Sequence, residues 1–280
     1  MAQKKDTIVR IDSFKSQYVT ARTVDIWLPP GYQTEPKKRF PVLYMHDGQN
    51  LFDSKIAYGG QAWGVDSTIK RVAKQGLFTE IIVVGIWNTF YRFTEYMPEK
   101  PFLRLSDEMQ ELLTEEYEGE PKGDEYLKFL VEELKPVIDQ NFRTLHDTDH
   151  TMIMGSSMGG LISAYAYCEY PEVFGRAGCL STHWIGSLEG DFEEFSNAMA
   201  AYFADNLPAP GNHKIYFDFG TLNLDAYYEH HQLKIDSVMK QCGYTHNIDW
   251  LTKKFPGHDH NEKSWRSRLN IPLKFLAGTE

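Results

Sequence analysis

The sequence predicts an α/β fold, with a mostly parallel central sheet and helices on both of its faces. Short apolar runs alternate along the chain with segments of helical periodicity, the order that parallel pairing with crossover helices produces. Several runs are continuously apolar rather than alternating, as in strands covered on both sides. The 280 residues suit one large α/β domain, and no internal repeat or low-complexity tract interrupts them.

Taken in order, Val24-Asp25-Ile26-Trp27-Leu28 alternates and stops at Pro29-Pro30-Gly31, a strand ended by a turn. Residues 40–45 and 81–86 are short buried strands. Between them residues 66–75 form a helix, with Val65, Ile69 and Val72 on one face and Gly76 as its stop. Residues 125–142 form a second helix through Leu127, Leu130, Val131, Leu134 and Ile138, bent by Pro136. A strand over 151–154 runs at once into a small-residue helix from Ser157 to about Glu169. Strands follow at 173–180 and 213–219, then a helix over 225–242 ended by Gly243. A last strand over 248–255 and a closing helix over 262–276 complete the series. Residues 99–124, charged and weakly periodic, read as a lid or an excursion over the site.

Composition narrows the function classes. Apolar residues make up 42% of the chain and aromatics 14%, enough for a core with aromatic side chains left to line a pocket. A net charge of −10 repels phosphate backbones and anionic surfaces, so nucleic acid is excluded as the expected partner. No run approaches the roughly 20 apolar residues of a membrane span. The start, Met1 to Asp6, carries no hydrophobic leader. The chain reads as cytoplasmic as written, or as periplasmic or secreted if this is a trimmed mature form. Cys168, Cys179 and Cys242 have no metal spacing and read as small buried thiols.

The strongest chemical signal is Gly155-Ser156-Ser157-Met158-Gly159, a G-x-S-x-G sequence between a strand and a helix. This is the elbow of the α/β-hydrolase fold. Glycines flank a turn too tight for side chains, and the turn pushes the Ser157 hydroxyl out at the carboxyl end of the sheet. The Met158 N–H then faces the same cavity from a helix N-terminus, where an oxyanion is stabilised. The alternatives are a glycine-rich phosphate cradle or a plain strand–helix turn.

A serine hydroxyl needs a base, and in this fold the order is Ser, then acid, then His. Phe255-Pro256-Gly257-His258-Asp259-His260 supplies two candidate bases, His258 and His260; a rival reading is a metal pair of these with Asp259. The acid is Asp225, past the end of a strand, or Asp218 within it; Asp225 also reads as a helix N-cap. The loop His46-Asp47-Gly48-Gln49-Asn50 follows an early strand, and there Gln49 N–H is the second oxyanion donor and Gly48 permits the turn. Trp87, Tyr91, Arg92, His183 and Trp184 follow strand ends and are candidate pocket residues.

These segments resemble the esterase family that includes enterobactin-type, feruloyl and carbohydrate acetyl esterases. The resemblance rests on residues 24–32, Tyr44 to Asp53, Val83 to Ile86, Arg92 with Glu95, Tyr96 and Pro98, Gly155 to Gly160, Leu180, Ser181 and Trp184, and His260-Asn261-Glu262 with Trp265. It implies that the base is the His five residues before that Trp, His260, and that the acid after Gly220-Thr221 is Asp225, although the spacer Leu222-Asn223-Leu224 is longer than in many relatives. The expected activity is serine-dependent carboxylic ester hydrolysis through an acyl-enzyme, on a small-molecule or glycan-linked ester, with no metal or organic cofactor. A thioesterase or siderophore lactonase with the same triad, or a silent carbohydrate- or protein-binding relative, are the alternatives.

Overall fold

The structure, a computed structural model, describes residues 6–76 and 79–278. Residues 1–5, within the start that reads as carrying no hydrophobic leader, lie outside the described residues. One sheet of eight strands runs in the order β1-β2-β4-β3-β5-β6-β7-β8. These are β1 (Thr7–Phe14), β2 (Arg22–Leu28), β3 (Val42–Met45), β4 (Ile82–Ile86), β5 (Thr151–Ser156), β6 (Arg176–Leu180), β7 (Lys214–Phe219) and β8 (Trp250–Lys254). From β3 onward every pairing is parallel; β1 pairs antiparallel with β2, and β2 with β4. The loops after the parallel strands therefore meet at one edge, where the site lies.

Strand period 2 divides the core between the two faces. On β3, Val42 and Tyr44 enter one hydrophobic cluster with the helix Met158–Glu169, while Leu43 and Met45 enter the other with Val65, Ile69 and Leu273. Among the described residues no helix is long and apolar enough to cross a membrane.

The structure departs from the sequence reading at several elements. Strand β1 was not predicted: it is a largely exposed edge strand, so burial leaves little periodic signal on it. The helix Glu193–Asn206 was also not predicted, although Phe195, Ala198, Met199, Tyr202 and Phe203 are spaced to bury one face. The helix over 125–142 starts at Gly123 and widens to a π-helix over Phe129–Leu134 just before Pro136, which has no N–H to donate back. Strand 173–180 is paired only from Arg176, and the closing helix breaks into Glu262–Arg268 and Asn270–Ala277. Residues 99–124 include helices Glu99–Phe102 and Asp107–Glu116. Their Phe102, Met109 and Leu113 are buried in the main core, and no residue of this stretch lines the cleft that holds Ser157.

Candidate active site

The turn from β5 into its helix places Ser157 at φ 57°, ψ −124°, a conformation that costs a residue with a Cβ free energy. Its N–H donates to the Leu180 carbonyl at 2.9 Å, and its own carbonyl accepts from His183 N–H at 3.3 Å, so β6 and its loop hold the turn. A Cβ at position 155 would lie 2.6 Å from the backbone of Gly159, which explains the first glycine. Met158 opens the helix, and its N–H has no intrahelical acceptor.

On the other side, Asp47 takes a left-handed conformation and Gly48–Asn50 form a 3-10 turn. A Cβ on Gly48 would lie 2.5 Å from the Gly85 carbonyl carbon, so only glycine lets this loop pass so close to β4. Asp47 is saturated: Arg92 Nε and Nη2 donate to its two oxygens at 2.7 and 2.8 Å, and Asn88 Nδ2 donates at 2.6 Å. Burial raises the Asp47 carboxyl, but Arg92 more than offsets this and holds it below the usual range. His46 is buried against Tyr126, its Nδ1 2.9 Å from that hydroxyl, and burial pushes its pKa down to about 3.

His260 and Asp225 meet. Nδ1 of His260 lies 2.6 Å from Asp225 Oδ1, and its ring is flanked edge-on by Tyr228 and Trp265. The other Asp225 oxygen accepts from Gly220 N–H at 2.5 Å and Ser181 Oγ at 2.7 Å. Burial alone would raise this carboxyl; the bonds from His260, Ser181 and Gly220 hold it below its ordinary value. Ser181 Oγ also accepts from Trp265 Nε1 (2.9 Å) and Arg268 Nη2 (2.8 Å), which ties the closing helix to the acid.

Asp218 is engaged elsewhere, accepting from Arg268 Nη2 and the Tyr216 hydroxyl, each at 2.8 Å, with both ions buried. His258 packs on Phe255 and faces a separate depression with Gly257, Asn261 and Lys263. It does not line the Ser157 cleft.

That cleft, of about 450 Å³, is lined by Ser157, His260, Gln49, Asp47, Asn88 and Arg92, with Tyr58, Trp63, Phe93 and Trp265 as aromatic walls. Of the other candidate pocket residues, Gly48 faces a neighbouring depression with Arg10 and Phe52. Trp87 donates to Asp25 at 2.9 Å, and Tyr91 lies outside the lining. His183 and Trp184 are buried behind it, bonded to Tyr228 and Gln232. The sequence reading missed Tyr58, Trp63, Phe93 and Glu262 as cleft residues. Of these, Glu262 stands two residues after His260 and Phe93 directly follows Arg92, the local signals that could have found them. Burial raises the Glu262 carboxyl, and Asp47 adds to the effect.

Fold and cleft together define an α/β-hydrolase. The chain belongs to the esterase family described as Putative esterase, which matches residues 17–276 and places it among ester hydrolases. It is 26% identical to the Bacillus subtilis protein YbbA over 263 residues, covering 92% of this chain and 93% of that one. It is 30% identical over 163 residues to an endo-1,4-beta-xylanase/feruloyl esterase of Xylanibacter ruminicola, covering 57% of this chain and 19% of that longer protein. Among solved structures it is similar to an IroE-like serine hydrolase from Shewanella oneidensis, with a TM-score of 0.69 at 17% identity over 97% of this chain and 79% of that one. It is also similar to the enterobactin esterase of Shigella flexneri, with a TM-score of 0.67 at 17% identity over 96% and 59%.

Proposed function

We propose that the protein is a serine carboxylesterase that works through an acyl-enzyme, with Ser157 as nucleophile, His260 as base and Asp225 as the acid that orients it. The observation that carries this reading is the 2.6 Å bond from His260 Nδ1 to a buried carboxylate, on a ring that shares one cleft with a serine at an elbow turn. With Nδ1–H committed to Asp225, the Nε2 lone pair takes the Ser157 proton as the hydroxyl oxygen attacks the ester carbonyl. The N–H groups of Met158 and Gln49 receive the oxyanion, each contributing about 3 kcal/mol in the transition state. His260 returns the proton to the leaving alcohol, and water releases the acid by the reverse route.

The aromatic walls of the cleft favour a planar acyl group, which fits the feruloyl esterase activity in the name of one relative. Ser157→Ala should lose at least about 1,000-fold in kcat on p-nitrophenyl acetate while melting like the parent. It should also no longer be labelled by a fluorophosphonate probe. Retained turnover or labelling would remove Ser157 from the mechanism. A panel of feruloyl, acetyl-xylan, acyl-CoA and trilactone substrates then separates the esterase from a thioesterase or a siderophore lactonase.

A further inference from the structure

Away from the cleft, the loop before helix Glu193–Asn206 meets the first turn of helix Tyr228–Gln241 at a cluster of metal-ligand side chains. Asp191, His230 and His231 each present one ligand atom, all within 4.8 Å of one another. His231 Nε2 lies 2.7 Å from Asp191 Oδ1, and His230 Nε2 lies 3.8 Å from the same oxygen. Glu193 Oε1 stands 3.4 Å from His230 Nε2, at the edge of the cluster. Ligand bonds of 2.0–2.2 Å around a tetrahedral zinc put neighbouring donor atoms about 3.3 Å apart. The observed spacings lie on either side of that value.

The hydrogen bonds around His231 show how its ring is held for ligation. Ser196 Oγ has one hydrogen, donated to the Glu193 carbonyl at 3.0 Å, and it accepts from Lys234 Nζ at 3.0 Å. Its 2.8 Å contact with His231 Nδ1 is then a bond from Nδ1–H, the tautomer that leaves Nε2 free to ligate. In that tautomer the Nε2 lone pair faces Asp191 Oδ1 at 2.7 Å and a cation satisfies both; without an ion the ring takes the other tautomer, Nε2–H donating to Asp191 and the Ser196 hydroxyl to Nδ1. The bond from His231 Nδ1–H to Ser196 is also the outer contact that fixes the orientation of a ligating imidazole.

We infer that Asp191, His230 and His231 form a binding site for a divalent transition metal of the zinc class, separate from the ester-cleaving cleft. Two imidazoles and carboxylate oxygens suit zinc better than calcium or magnesium, which prefer all-oxygen shells. Lys234 Nζ, 2.7 Å from the other Glu193 oxygen, opposes weak, purely electrostatic cation binding and leaves the imidazoles as the source of affinity. An ion here pins the loop at Asp191 to the helix whose first residue, Tyr228, packs on His260. Its role is structural, and no step of ester cleavage passes through it.

The test is titration of the metal-stripped full chain with zinc chloride alone, followed by calorimetry and by thermal melting. One tight zinc per chain and a higher melting temperature are expected. Asp191→Asn and His230→Ala change exposed side chains, and each should weaken zinc binding roughly 100-fold while the metal-free protein melts as the parent does. Calcium at the same concentration should leave the melt unchanged. Zinc binding that is absent, or equally tight in both variants, would overturn the site, since the chain has other histidines to hold a stray ion.

Discussion

Asp218 and Asp225 are both buried near the end of β7, and their surroundings divide the work between them. Burial pushes the Asp218 carboxyl up, and Arg268, the Tyr216 hydroxyl and the Ser181 N–H make its charge tolerable. Asp225 turns one oxygen to His260 and anchors the other on Gly220 and Ser181. The two variants should therefore fail differently. Asp218→Asn removes the nearer of the two carboxylates around the buried Arg268, leaving Asp225 at 3.9 Å, and should lose roughly 3 kcal/mol in urea unfolding. Asp225→Asn offers His260 the wrong hydrogen-bond partner and should lower kcat by about 1,000-fold or more with far less effect on stability. If both variants lost activity and stability in equal measure, the division would be wrong.

At the scale of elements, the site depends on two loops brought close by absent side chains. Gly48→Ala drives a methyl from the 3-10 turn into the backbone of β4, which cannot yield, and should cost on the order of 3 kcal/mol. It should also reduce turnover, because the Gln49 N–H moves with the loop; differential scanning calorimetry and an ester assay on one preparation check both. The β5 elbow and the β3 loop were legible in the sequence because tight turns leave a chemical signature in glycine, and buried strands leave one in unbroken apolar runs. Strand β1 left none: its residues face solvent along most of its length, and pairing with β2 is a backbone matter to which side chains are nearly indifferent. The walls of the cleft were equally illegible. Tyr58 and Trp63 come from the connection between β3 and the helix Val65–Lys74, Phe93 from the helix Arg92–Tyr96 after β4, and nothing local announces that they converge. Conversely His183 and Trp184 sit just past the end of β6, yet their ring nitrogens turn inward to Tyr228 and Gln232.

For the whole molecule, buried histidines set the response to acid. His46 and His183 each have a pKa pushed from 6.5 down to about 3 by burial, so in the folded state they stay neutral where the unfolded chain takes up protons. Their contribution to stability is complete above pH 6.5 and is lost as the pH falls toward 3. The slope is about 1.4 kcal/mol per pH unit for each group. Urea unfolding at pH 7 and pH 5 should differ by roughly 4 kcal/mol from these two residues. A flat profile over that interval would show that one or both are protonated in the folded state.

The hydroxyl of Ser181 takes bonds from Trp265 and Arg268 and gives one to Asp225. Every N-terminal fragment of the chain that stops short of Arg268 lacks part of that junction, and one that stops before His260 lacks the base as well. During synthesis the elbow serine leaves the ribosome long before the groups that would arm it. With Ser157, Asp225 and His260 acting as proposed, ester cleavage must wait until helices Glu262–Arg268 and Asn270–Ala277 are made and docked.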